Sequence, residues 1–173
     1  MEKKILVPLD GTAVGEAILP KLESLVLEYV PSDKAEVVLL KVNSIVNFDV
    51  LTHDKRAQLP YNEEDQMKLN IESQAYLNKI ADPLRAKGFN VKTMVRTGTV
   101  AEEIVAAAHE VKANLIAMST HGRSGIIRWA IGSVADQVVR LEGSIPVLAV
   151  HTSEKEQSTV LPMSSLQSLV KNS

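Results

Sequence analysis

The sequence contains no cysteine, and aromatic side chains make up only 3% of its 173 residues. The absence of cysteine excludes a disulfide framework, a thiolate nucleophile and a cysteine-ligated metal. An excess of either charge is also missing, because 19 Lys and Arg residues stand against 21 Asp and Glu residues. Without a cluster of basic side chains, we expect no binding to the phosphates of nucleic acids.

Long apolar runs are absent as well. The N-terminal segment enters an apolar run after four residues and reaches Pro8-Leu9-Asp10, which is too short for a membrane span or for the apolar region of a signal peptide. We therefore expect no membrane association and a cytoplasmic location. The hydrophobic fraction is 45%, which is ordinary for a globular chain. We expect one domain over residues 1–151 and a polar tail over residues 152–173.

Apolar runs and helical periodicities alternate along the chain. Short apolar runs predict five strands, at Lys4–Leu9, Glu36–Val42, Val91–Arg96, Leu115–Met118 and Pro146–Val150. The segments between them carry apolar residues at helical spacing, with an irregularity expected at Pro20. This alternation predicts an α/β fold, with a doubly wound five-stranded parallel sheet in strand order 3-2-1-4-5 and helices on both faces. Ligands of such sheets bind at the carboxyl ends of the strands, where the strand order reverses.

A glycine-containing segment follows the fourth predicted strand. It runs from Ser119 through Gly122 and Gly125, and Gly132-Ser133 stands where the next helix begins. Glycine lets a ligand approach backbone amides, and the first amides of a helix attract anions. The segment has no Walker A lysine motif, and no Gly-x-Gly-x-x-Gly follows the first strand. It therefore predicts a phosphate site built from backbone amides, the Ser133 hydroxyl and the positive end of a helix.

Asp10 ends the first predicted strand and admits two interpretations. It contacts a ligand in a cleft shared with the glycine-containing segment, or it caps the first helix. A hydrolase is disfavoured, because Ser124 is followed directly by Gly125 and the Gly-x-Ser-x-Gly pattern of a nucleophile elbow is missing. A hydrolase of that kind would leave only His151 as its base.

Two motifs give the chain a close resemblance to the universal stress protein family over about residues 2–151. The nucleotide-binding branch of that family carries Gly-x2-Gly-x9-Gly-(Ser/Thr), and Gly122, nine residues and Gly132-Ser133 match its second and third parts. Ser119 stands in place of the first glycine. The family's opening motif, Val-Pro-x-Asp-Gly-(Ser/Thr), is matched by Val7–Thr12.

The resemblance implies an ATP site, with Mg²⁺ accompanying the triphosphate. It places Pro8, Leu9 and Asp10 beside the adenosine and the backbone of Val42 at the adenine edge. Residues that would follow the ribose and phosphates are Met118, Ser119 and Gly122, and those at the phosphate end are Gly132, Ser133, Val134 and Ala135. The resemblance also implies a homodimer formed through the last strand, Pro146–Val150.

The leading hypothesis is therefore an ATP-binding regulatory or signalling protein of the stress response. Catalysis is an open question, because no residue pair has the spacing of a general base and a nucleophile, although weak ATPase or autophosphorylation activity stays possible. The alternative is a ligand-free dimeric scaffold that acts through protein partners, against which the intact Gly122, Gly132 and Ser133 argue.

Overall fold

The computed structural model describes residues 3–29, 35–44, 63–121 and 132–152. Five strands alternate with helices in these ranges: β1 Lys3–Pro8, α1 Ala13–Glu16, α2 Ile18–Tyr29, β2 Ala35–Ser44, α3 Glu63–Ala86, β3 Asn90–Gly98, α4 Val100–Val111, β4 Leu115–His121, α5 Ser133–Leu141 and β5 Val147–Thr152. All strand pairs are parallel, and the order across the sheet is β3-β2-β1-β4-β5. The predicted sheet and strand order are confirmed.

Two hydrophobic cores lie on opposite faces of the sheet. Successive side chains of a strand point to opposite faces, and accordingly Ile5 and Val7 of β1 pack in one core while Leu6 packs in the other. The first core includes buried residues of α2 and α3, and the second includes buried residues of α4 and α5. Because helices cover both faces, the central strands are apolar along nearly their whole length.

The first helical segment is divided into two helices by Ala17. The backbone N–H of Ala17 bonds to the carbonyl of Val14, which closes the short α1 before α2 begins at Ile18. Pro20 is the third residue of α2, where the missing N–H needs no partner within the helix. A continuous helix would place the proline ring against the carbonyl of Glu16. The irregularity expected at Pro20 therefore lies three residues before it.

The other boundaries follow local signals. Gly88 has a φ of +90° and follows the end of α3, as its position in the sequence predicts. The last strand begins one residue later than predicted and runs two residues further, to Thr152. In the ranges that the structure covers, no helix combines the length and apolar character of a membrane span.

The strand order reverses between β1 and β4. β2 and β3 follow on one side of β1, whereas β4 and β5 follow on the other. In a sheet of this topology a crevice opens at the carboxyl ends of the two strands where the order reverses, here β1 and β4.

Candidate functional site

A cleft of about 810 Å³ lies at this crevice, which is within the usual size range of small-molecule sites. Every residue predicted to bind a ligand lines it, apart from Gly122, which is outside the described residues: Pro8, Leu9, Asp10, Val42, Met118, Ser119, Gly132, Ser133, Val134 and Ala135. The topology thus brings together segments that are more than a hundred residues apart in the sequence.

In the turn after β1, hydrogen bonds to one of its two oxygens fix the Asp10 carboxylate. Oδ1 of Asp10 accepts hydrogen bonds from the backbone N–H of Thr12 at 2.8 Å and from its hydroxyl at 2.7 Å. The Thr12 hydroxyl oxygen in turn accepts from the N–H of Gly15 at 3.0 Å and so caps α1. Of the two interpretations of Asp10, the cap is therefore wrong. Asp10 supports the capping residue and also lines the cleft.

Lys41 is a cation in the cleft that the sequence motifs do not predict. Its Nζ donates a hydrogen bond of 2.8 Å to the backbone carbonyl of Asp10, which joins β2 to the turn after β1. Burial lowers the pKa of Lys41 below its ordinary value, and the negative charge of Asp10 opposes part of that change. The sequence does contain a signal for a functional residue here, because Lys41 interrupts the otherwise apolar run from Val37 to Val42.

The end of β2 is joined to α3 by polar side chains. The buried Ser73 donates from its hydroxyl to Oδ1 of Asn43 at 2.7 Å, and Asn43 donates from Nδ2 to Oδ1 of Asn70 at 2.9 Å. Asn43 also lines the cleft. One side wall of the cleft is therefore held in place by hydrogen bonds between a strand end and a helix. Periodicity did not reveal Asn43, because it lies one residue beyond the apolar run.

Ser119 connects β4 to α1. Its hydroxyl donates to the backbone carbonyl of Gly15 at 3.3 Å, so the side chain that replaces the first glycine of the motif is directed at the protein backbone. Ser119 is part-buried in the cleft wall. Its neighbour Met118 is buried and lies on the same wall.

The start of α5 presents backbone donors to the cleft. Gly132 is the N-cap and its carbonyl accepts the first helical hydrogen bond, from the N–H of Asp136 at 2.9 Å. The amides of Ser133, Val134 and Ala135 precede that bond, and none of them has an acceptor within the described parts of the chain. The helix dipole adds positive potential at the same point. This wall of the cleft is therefore suited to an anion.

Seven other residues line the cleft, and they belong to α1, β2, α3, α4 and β4: Gly15, Leu40, Ser44, Leu69, Val100, Ile104 and Thr120. Most of them are apolar. The apolar ones, Leu40, Leu69, Val100 and Ile104, join Leu9 and Val42 in a surface on which a flat aromatic ring can pack. The cleft therefore has apolar side chains beside the polar Lys41, Asn43 and Ser44 of β2, and N–H donors at the start of α5.

Comparison with known proteins gives a consistent result. The model of the universal stress protein family matches residues 1–151. Universal stress protein MJ0531 of Methanocaldococcus jannaschii is 31% identical over 154 residues, which cover 89% of this chain and 85% of that protein. The structure of hypothetical protein MJ0577 superposes with a TM-score of 0.68 at 28% identity, covering 89% of this chain and 99% of that one.

A universal stress protein in complex with cAMP has the same fold. It superposes with a TM-score of 0.57 at 21% identity, and the match covers 88% of this chain and 98% of that one.

Proposed function

Since the chain belongs to the universal stress protein family, we propose that it is a regulatory protein of the stress response that binds an adenine nucleotide, with ATP as the ligand, in the cleft at the carboxyl ends of β1, β2 and β4. Nucleotide occupancy would be the signal that the protein passes on. The complex of another universal stress protein with cAMP supports an adenine nucleotide as the ligand class.

One observation carries the proposal. The amides of residues 133–135, which have no acceptor within the described ranges, line the same cleft as the apolar side chains of Leu9, Leu40 and Val42, with Asp10 between β1 and α1. A nucleotide has the matching distribution of groups, with an anionic phosphate chain at one end, an aromatic base at the other and ribose hydroxyls between them. Helix N-termini bind phosphate because their free N–H groups and the dipole act together.

The proposed assignment follows this polarity. The phosphates would lie against Gly132, Ser133, Val134 and Ala135, with Gly122 contributing from outside the described residues. Met118 and Ser119 would flank the ribose, and Pro8, Leu9 and Asp10 would line the adenosine. The backbone of Val42 would meet the edge of the adenine.

Mg²⁺ would accompany the triphosphate. Within the described ranges, no cluster of three or more His, Asp or Glu side chains is arranged to hold a metal ion by itself. Magnesium is commonly held by substrate phosphates with only one or two protein ligands. We therefore propose that phosphate oxygens supply most of its coordination, with the Ser133 hydroxyl as the nearby protein oxygen.

We propose binding, without rapid turnover, as the main chemistry. Asp10 is the only carboxylate among the described lining residues, and its Oδ1 is already engaged by Thr12. Phosphoryl transfer to water requires a group that orients the attacking water beside the γ-phosphate. A carboxylate that is held in the turn after β1, on the adenosine side of the site, is poorly placed for that role.

We also propose that the protein forms a homodimer through β5. This strand pairs with β4 on one side only and is therefore a sheet edge in the described chain. An exposed edge is open to pairing with a second copy.

The test is calorimetric titration of ATP with Mg²⁺ into the purified full-length protein, with AMP, cAMP and GTP in parallel. Two variants of the exposed Ser133 separate stability from binding, because each should change the two properties in opposite directions. Ser133→Glu favours the helix start through the dipole but repels phosphate, and Ser133→Lys does the reverse. We expect Ser133→Glu to unfold at a higher temperature and to bind ATP about tenfold more weakly.

Ser133→Lys should bind ATP at least as tightly as the unmodified protein although it is less stable. The proposal is wrong if the unmodified protein gives no binding heat and carries no nucleotide after purification. If both variants bind ATP as the unmodified protein does, the phosphates do not lie at the start of α5.

A further inference from the structure

Gly15 lies directly beneath the Asp10 carboxylate. A Cβ atom built on Gly15 would stand 2.2 Å from Oδ1 of Asp10 and 3.1 Å from its Cγ. Real Cβ atoms do not approach other heavy atoms so closely. The carboxylate therefore occupies space that any other amino acid at position 15 would fill. Gly15 is buried within the four-residue helix α1, and its φ is not in the left-handed region, so the backbone conformation does not require glycine there.

Hydrogen bonds fix the carboxylate in this space. The N–H of Gly15 donates to the Thr12 hydroxyl, and that hydroxyl donates to Oδ1 of Asp10. These two hydrogen bonds link Gly15 to the Asp10 carboxylate through Thr12, and Oδ1 of that carboxylate lies over Gly15 itself. From the other side, the carbonyl of Gly15 accepts from Ser119 and the carbonyl of Asp10 accepts from Lys41. Groups from β2 and β4 thus hold the same turn.

These contacts leave Oδ2 of Asp10 as the oxygen available to a ligand. Oδ1 receives both hydrogen bonds from Thr12, and no partner of Oδ2 occurs in the described ranges. A carboxylate with one fixed and one available oxygen presents its acceptor at a defined place without further loss of side-chain entropy on binding.

We propose that Gly15 is a positioning residue of the nucleotide site: the absence of a side chain at this position allows the Asp10 carboxylate to be held against α1, so that it meets the adenosine part of the ligand in one fixed orientation. This inference rests on the proposed function. Gly15 acts through Asp10 and makes no ligand contact of its own through a side chain.

The test combines Gly15→Ala with Asp10→Ala in a double-mutant cycle of ATP affinity. Gly15→Ala should weaken ATP binding about tenfold, as expected when a charge-assisted hydrogen bond is lost. In the Asp10→Ala background the added methyl group meets no carboxylate, so Gly15→Ala should cause no further loss. Gly143→Ala is the matched control, because a Cβ there has no atom within 4 Å, and it should bind ATP as the unmodified protein does.

A second measurement needs no nucleotide. In the ligand-free protein, Gly15→Ala should shift the amide proton resonance of Thr12 upfield and speed its exchange with solvent, because the bond to Asp10 is broken. Asp10→Ala should produce the same shift. The positioning role is overturned if Gly15→Ala leaves the Thr12 amide unchanged, or if its cost in ATP affinity is equal with and without the Asp10 carboxylate. Should the unmodified protein fail to bind ATP while the Thr12 amide shifts as expected, the proposed function is wrong but the effect of Gly15 on Asp10 stands.

Discussion

The hydroxyl of Tyr76 in α3 donates a hydrogen bond of 3.0 Å to Oε1 of Glu16 in α1. Glu16 is only 3% exposed, so this bond serves a carboxylate that has little access to water. Tyr76 therefore joins α3 to α1, which follows the turn that carries Asp10.

Replacing Tyr76 with Phe should destabilise the protein, because a buried carboxylate loses one of its donors. The expected loss is about 1–3 kcal/mol of unfolding free energy, measured by urea denaturation at pH 7. A double-mutant cycle with Glu16→Met, which removes the acceptor, isolates the bond. Equal costs for Tyr76→Phe in both backgrounds would mean that the tyrosine stabilises the fold through packing alone.

Alkaline pH should weaken the unmodified protein through the same residue. Burial, then the negative charge of Glu16 and the hydrogen bond to it, raises the pKa of the Tyr76 phenol above its ordinary value of 10.0. A group whose pKa is raised by folding contributes stability that is complete below its unfolded pKa and is lost as the pH rises toward the folded value. Unfolding free energy should therefore fall more steeply above pH 10 in the unmodified protein than in Tyr76→Phe.

Glu142 should control stability in acid. Burial raises the pKa of Glu142, but hydrogen bonds from the Ser144 and Ile145 amides and the Ser144 hydroxyl, with the charge of His109, outweigh burial and lower it below 4.5. Its Oε2 lies 2.8 Å from Nε2 of His109. A carboxyl group with a lowered pKa contributes stability above its unfolded pKa, and that contribution is lost as the pH falls through the folded value.

The measurement is urea denaturation from pH 7 to pH 2. Glu142→Gln should be less stable than the unmodified protein at pH 7, and the difference should shrink below pH 4.5 as the native carboxylate is protonated. Glu72→Gln, at an exposed position of α3, is the control and should leave both the stability and its pH dependence unchanged. A difference for Glu142→Gln that stays constant with pH would contradict the role of its charge.

Lys41 should contribute to ATP binding through the turn that carries Asp10. Lys41→Met removes a half-buried cation and the donor to the Asp10 carbonyl, and we expect ATP to bind about tenfold more weakly because β2 no longer holds that turn. Since burial lowers the pKa of Lys41, the ATP affinity of the unmodified protein should decline as the pH rises toward 10, and that decline should be absent in Lys41→Met.

The control for this measurement is Lys79→Met, which removes an equal charge from an exposed position of α3. Calorimetry at two salt concentrations separates a local contact from general attraction, because general attraction is screened by salt and would be reduced equally in both variants. If the two variants lose the same affinity, the bond from Lys41 to the Asp10 carbonyl does not support the site.

The proposed dimer predicts an effect of charge at the sheet edge. Ala149 is an exposed residue of β5, and Ala149→Lys should halve the mass measured by sedimentation because a buried lysine opposes strand pairing. Ala75→Lys, at an exposed position of α3, should leave the mass unchanged. A monomeric mass for the unmodified protein would show that β5 is not an interface.

The sheet was predictable from the sequence for a physical reason. Strands buried on both faces are mostly apolar, so a segment such as Glu36–Val42, with its apolar run Val37–Leu40, is distinct from the periodic helices beside it. The strand ends were less predictable, because β2 continues through the polar Asn43 and Ser44, and β3 through Thr97 and Gly98, beyond the apolar runs. Their pairing across the sheet, and not their composition, keeps these residues in the strands.

The part of the candidate site that a local backbone motif forms could be predicted from the sequence. The side chains that reach the site from other elements could not. Gly132 and Ser133 belong to a local strand-to-helix pattern, and they line the cleft. Lys41 and Asn43 enter the cleft because β2 lies beside β1, and Gly15 matters because of its distance to Asp10. Such contacts are set by tertiary structure, so spacing in the sequence does not show them.

Helix α3 is unevenly attached to the sheet. Its buried residues are Ser73, Leu77, Ile80, Ala81 and Leu84, all beyond its first ten residues, whereas Met67 and Ile71 are exposed. The later turns therefore open only with global unfolding, and the first turns can fray at a small cost because few apolar contacts are lost. Amide hydrogen exchange along α3 would then form a gradient, with the fast end in the turns that precede Asn70. The cleft thus keeps a rigid floor and a side wall that is held through Asn43, while the first turns of α3 beyond that wall can open and close without disturbing the core.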